Sequence, residues 1–178
     1  MQMLIYLFAI WQNGASLYGD IVPAGVLYMA ANAPTASLPR DAGTDEVEME
    51  KIKKSKMSGM LLKDRDVILG MEKNGEGVFI PAKLSNGELT GTLITLEQIG
   101  KLKTKADEIL GQMAAALHNG NIGALPAAVS NKTACDYCDY KTVCGRENGM
   151  PVRSVAKLGH DEALAIIEQT GGSDDGMD

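Results

Sequence analysis

The sequence is short of several things, and each shortage removes a class of protein. Only two histidines and three cysteines occur in 178 residues. The cysteines, Cys135, Cys138 and Cys144, crowd into one segment instead of being spread as the paired framework of a small secreted domain. They read as metal ligands in a reducing compartment. Positive charge is not in excess. The formal net charge is -6, so the chain does not hold DNA or a membrane by its overall field, although a local basic patch remains open. Aromatics make up only 4% of residues, yet 45% are hydrophobic, which supports a core and excludes a disordered or collagen-like chain.

No apolar run is long enough to cross a bilayer. The first residues, MQMLIYLFAIW, imitate the apolar part of a signal peptide, but no basic segment precedes them and no small-residue cleavage site comes closely after. They are read as a buried helix, apolar on nearly every side and closed at Asn13-Gly14 by a left-handed glycine. With no capping residue or lead-in ahead of that helix, the sequence reads as a fragment, Met1 standing for an internal methionine.

Downstream the organisation is α plus β. Residues 21–29 (IVPAGVLYM) predict a strand with Pro23 near its start, and 30–44, with Pro34 and Pro39, a loop. Residues 45–56 carry charges of both signs around Val47, Met49 and Ile52 and fit either an exposed helix or a charged strand. A short helix is expected over 63–72, capped by Asp64, with Val67, Ile68 and Met71 inward. Residues 77–84 predict a strand leading into a turn at Ser85-Asn86-Gly87.

The strongest periodicity predicts a helix over 96–118. Thr95 and Gln98 fit a capping box, and Leu96, Ile99, Leu102, Ala106, Ile109, Met113 and Leu117 recur at three- and four-residue steps. Its other face, with Lys101, Lys103, Lys105 and Glu108, is most simply a solvated one, a DNA-contacting role being the alternative. Residues 121–133 are a polar, small-residue connection, and 161–169 predict a last short helix before a disordered acidic tail. The domain reading is 1–133, a cysteine motif over 134–147, an extension over 148–170 and a tail over 171–178.

The chemistry sits in ACDYCDYKTVCGRE, residues 134–147. Cys135 and Cys138 have the C-x-x-C spacing that aims two thiolates at one metal centre, with Cys144 close behind. A structural zinc or an iron-sulfur cluster normally takes four ligands. The fourth is then a histidine, His118 or His160, or a group outside the chain. Both histidines have plainer explanations, His118 at the C-terminal end of a helix dipole and His160 at the surface. Tyr137 and Tyr140 are expected to pack on the cysteine loop.

This segment resembles the cysteine motif of AddB and RexB, the second subunits of bacterial helicase-nucleases. The resemblance implies that Cys135, Cys138 and Cys144 bind a [4Fe-4S] cluster together with a fourth cysteine located far upstream in that family, stapling the nuclease domain. Gln2 and Tyr6 repeat the Q-x-x-x-Y spacing of the helix that comes after the catalytic strands in RecB-like PD-(D/E)xK nucleases, and PAGVLYM and KSKMSGMLLKDRDVILGM are also similar to AddB-type sequence. Four residues apart on a helix, the two side chains share a face. Cas4-type nucleases share both features with a shorter connection between them.

The resemblance implies an α/β (α+β) fold, the C-terminal part of a PD-(D/E)xK nuclease domain, and a Mg2+-dependent exodeoxyribonuclease as parent. It also implies an AddA-type helicase-nuclease partner in a heterodimer, DNA ends and unwound strands as substrates, and a cytoplasmic setting in repair of double-strand breaks. One departure matters. The Asp and Lys strands that hold Mg2+ precede the Q-x-x-x-Y helix in the family, and no D-x-K or E-x-K strand pattern stands in for them here. The chain alone is therefore expected to be inactive as a nuclease. The alternatives are a Cas4-type relative or a non-enzymatic zinc-binding interaction module.

Overall fold

The computed structural model describes residues 2–123, 125–130, 132–145 and 150–170; the expected tail over 171–178 lies outside them. The chain forms two compact units, Met1–Thr104 and Lys105–Asp178.

In the first unit, α1 (Gln2–Asn13) and α2 (Ala15–Tyr18) lead into β1 (Gly25–Tyr28), α3 (Thr44–Lys54), β2 (Ser58–Leu62) and α4 (Arg65–Met71). Then come β3 (Ala82–Ser85), β4 (Glu88–Gly91), β5 (Leu93–Ile94) and the start of α5 (Leu96–His118). β2 is the central strand of a three-stranded sheet, antiparallel to β1 with Val26 opposite Met60, and parallel to β5 with Leu61 opposite Leu93. Strands β3 and β4 form a separate hairpin. Between sheet, hairpin and α4 lies a core of Leu61, Ile68, Ile80 and Ala82, against which Leu27, Met57, Leu89 and Leu93 pack.

Local signals explain most of these elements. Asp64 caps α4, its Oδ1 accepting from the amides of Asp66 at 2.8 Å and Val67 at 3.2 Å. The ambiguous charged stretch is the helix α3, with Asp45 and Glu46 in its first turn and Lys51, Lys53 and Lys54 in its last, a distribution that complements the helix dipole. Asn86 and Gly87 both take positive φ (52° and 83°), as a two-residue hairpin turn requires. The capping box of α5 is formed, Gln98 N–H donating to Thr95 Oγ1 at 3.2 Å and Thr95 N–H to Gln98 Oε1 at 2.9 Å.

Other expectations are corrected. Helix α1 is covered on one face only: Phe8 is buried, while Met3, Tyr6 and Ile10 are exposed. Gly14 is in the right-handed region and serves as the N-cap of α2; the left-handed glycine is Gly19, with φ 71°. Met71 is exposed. Residues 77–81 are not a strand, because the Glu72 carboxylate takes the amides of Val78 (2.8 Å) and Phe79 (3.2 Å) that a ladder would use. Strand β2 has no clear sequence signal: SGMLL shows little alternation, and its place between β1 and β5 is set by pairing.

The second unit contains the rest of α5, then β6 (Ala127–Val129), β7 (Lys132–Thr133), a 3-10 turn (Ala134–Tyr137), β8 (Arg153–Ser154) and α6 (His160–Thr170). The expected loop over 121–133 thus supplies the centre of a second small sheet, in which β6 pairs antiparallel with β7 and parallel with β8. Along α5, Ile99 and Ala106 are buried, but Leu96, Met113 and Leu117 are exposed. The periodicity is right for a helix, and the described residues cover only part of its apolar stripe.

Candidate functional site

An amphipathic helix with two polar residues one turn apart brings those residues together by geometry alone. On α1, Gln2 Nε2 donates to Tyr6 Oη at 2.7 Å. Tyr6 is 51% exposed and Gln2 is exposed, so the pair faces solvent while the opposite side of α1, through Phe8, is buried; α1 packs against β1. With the phenolic oxygen already accepting, Tyr6 retains its O–H as a donor and Gln2 its carbonyl oxygen as an acceptor. The pair therefore presents one donor and one acceptor at a fixed separation, suited to a phosphate oxygen and a polar base or sugar edge.

The cysteine segment is a succession of tight turns. Thr133 and Asp136 form a reciprocal capping box, the Thr133 amide donating to Asp136 Oδ2 at 2.8 Å, and this fixes the 3-10 turn that carries Cys135. The Cys138 amide reaches Cys135 O at 3.4 Å and the Cys144 amide reaches Tyr140 O at 2.9 Å. All three thiols are free, Cys135 half-buried and the other two exposed. Their chemistry suits a thiophilic centre. Their placement does not close one: among the described residues no three of His, Cys, Asp and Glu gather as a metal-binding group. Tyr137 and Tyr140 are exposed, not packed on the loop. His118 ends α5 and His160 begins α6.

The lysine face of α5, expected to be solvated, is half-buried at Lys101, Lys103 and Lys105 and carries ion pairs. Lys101 lies 2.8 Å from Glu97 and Lys105 2.8 Å from Glu108. The hydrogen bond from Lys101, then its charge, holds the Glu97 carboxyl below its ordinary range. One further feature is a pocket of about 310 Å³ between the loop after β1, the end of α3 and Phe79, which sequence patterning does not reveal. Its sequence signal is the basic run Lys51, Lys53, Lys54 and Lys56, of which Lys54 lines it.

Comparison with known proteins supplies the kinship. Residues 1–145 match the PD-(D/E)XK nuclease superfamily. The chain is 32% identical over 166 residues to the B-type subunit of the ATP-dependent helicase/deoxyribonuclease of Ruminiclostridium cellulolyticum, covering 90% of this chain and 14% of that protein. It is 34% identical over 149 residues to the protein of the same name from Thermoanaerobacter pseudethanolicus, and 30% to that of Caldanaerobacter subterraneus, each covering 81% of this chain and 13% of the relative. The chain thus spans a small part of the length of the relatives it matches. With a mixed α/β fold and a superfamily match through most of its length, the chain belongs to the PD-(D/E)XK nuclease superfamily.

Proposed function

We propose that this chain is part of the DNA-cleaving domain of a B-type helicase/deoxyribonuclease subunit, ATP-dependent as a whole, that processes double-strand break ends for recombinational repair. Its partner is an AddA-type helicase-nuclease subunit, and its setting is cytoplasmic. The observation that carries the reading is the hydrogen-bonded, solvent-facing Gln2–Tyr6 pair within the superfamily match. No helix among the described residues is long and apolar enough to cross a membrane.

In this reading α1 binds and orients the DNA strand. The Tyr6 hydroxyl donates to a phosphate oxygen, and Gln2 holds the phenol in place while its own carbonyl accepts from the nucleotide. A divalent ion such as Mg2+ supplies an activated water and charge neutralisation when bound. The binding and orienting roles fall to this chain, and the Asp and Lys strands that hold the ion are assigned outside it, as the family resemblance implies. Cys135, Cys138 and Cys144 are proposed as three ligands of a [4Fe-4S] cluster whose fourth donor lies outside the chain. Such a link closes a long loop and constrains the unfolded state as a cross-link does.

The test is a graft of this chain in place of the matching segment of the Ruminiclostridium cellulolyticum relative, assembled with its helicase partner. The folded graft should degrade linear DNA with ATP and Mg2+, and should contain iron and absorb visible light when purified without oxygen. A folded graft that binds its partner but leaves linear DNA intact refutes the nuclease reading. A colourless graft holding one zinc per chain refutes the cluster and favours the zinc module.

A further inference from the structure

A chain with net charge -6 nevertheless places four lysines in six residues, at 51, 53, 54 and 56. The helix dipole accounts for cations in the last turn of α3. It does not account for Lys56, which lies beyond the helix end and its C-cap Ser55. All four lysines are exposed. Lys54 is engaged, its Nζ donating to Thr35 O at 2.8 Å and lying 3.7 Å from Glu50. That bond draws the loop after β1 against α3 and shapes the adjoining pocket.

The pocket is lined by Met29, Asn32, Pro34, Met57 and Phe79, with Lys54 at its edge, and its volume of about 310 Å³ admits a planar ring and not a duplex. Phe79 is 48% exposed and Met29 75%. Phe79 is also held rigidly. Its amide is taken by the Glu72 carboxylate at 3.2 Å, and its carbonyl accepts from the Met57 amide at 2.7 Å. An aromatic ring left in solvent on a fixed backbone loses little freedom when a flat partner stacks on it.

We infer that this face binds single-stranded nucleic acid, one base stacking on Phe79 in the pocket while Lys53 and Lys56 contact flanking phosphates. It rests on the nuclease reading for its ligand class, and it adds a strand-holding site on elements separate from α1. The exposed lysines at 51, 53 and 56 favour a polyanion against the opposing charges of Glu50, beside Lys54, and Glu72, on the Phe79 amide, and the apolar aromatic pocket selects one with exposed bases.

The test is fluorescence anisotropy of a short labelled oligothymidylate with the whole chain across a salt series. Phe79→Ala should weaken binding about tenfold, and Phe79→Trp should restore it. Lys53→Gln with Lys56→Gln should reduce the slope of log affinity against log salt by about 1.4, at about 0.7 per phosphate contact. The same change at Lys101 and Lys103 should leave the slope unaltered. Absent binding by the wild-type chain, a Phe79→Ala effect under about twofold, or equal affinity for a duplex overturns the inference. These outcomes are read separately from DNA degradation by the graft, so failure of this inference and failure of the nuclease reading are distinguishable.

Discussion

Leu61 offers the sharpest test of how the first unit is held together. It lies on the central strand β2, fully buried, with β1 on one side and β5 on the other, and shares its cluster with Ile68, Ile80 and Ala82. Leu61→Ala removes three carbon groups, at about 0.8 kcal/mol each in transfer alone. A paired central strand cannot move to fill the space, so a cavity term adds to this and the total loss is about 3 kcal/mol or more. Trp11 is the chain's single tryptophan and sits on α1 in the same unit, so its fluorescence reports the melting of that unit. For a unit of this size the loss corresponds to a fall of roughly 12 °C or more in Tm. Leu117→Ala, at a leucine 74% exposed, should change stability by less than about 0.5 kcal/mol. A Leu61→Ala fall below about 4 °C, or equal falls for both variants, would show that the Leu61 cluster is not the core.

Asp64→Ala strips the cap of α4 and should cost about 1 kcal/mol in thermal melts, whereas Asp64→Asn should cost much less, because an amide oxygen can accept the same two amides. Tyr6→Phe removes an exposed hydrogen bond and should leave stability within about 0.5 kcal/mol, while lowering DNA degradation by the grafted assembly; an unchanged degradation rate removes α1 from the strand-binding role. Acid titration tests Glu97. Its folded pKa lies below the ordinary 4.5, so its contribution is complete above that value and is lost as pH falls through the depressed folded value. Glu97→Gln should flatten that part of the stability profile and leave the acid limit unchanged, and added salt should shrink the difference.

The sequence is most legible where a signal is local. The helix over 96–118 with its Thr95–Gln98 box, the Asp64 cap and the Asn86-Gly87 turn each depend on side chains acting within a few residues of themselves, and each forms where its residues predict it. The Gln2–Tyr6 pair belongs with them, since a four-residue helical spacing alone brings the two groups to 2.7 Å. Burial is less legible. An apolar α1 reads as buried, yet which of its faces is covered depends on β1 and the rest of the first unit.

What pairs with what lies beyond the reach of pattern. SGMLL becomes a central strand because β1 and β5 flank it, and in 77–81 Glu72, several residues earlier, takes the amides of Val78 and Phe79 that a strand ladder would use. The same carboxylate takes the amide of Phe79, which lines a pocket with Lys54 from a run that, in sequence, is only a charged helix end. The helices α4 and α5, their caps, the Asn86-Gly87 turn and the Gln2–Tyr6 pair of α1 were thus determined by the sequence, through interactions confined to a turn or two. Strand partners, the covered face of each helix and the Phe79 pocket were decided by tertiary structure, because each depends on groups brought together from distant parts of the chain.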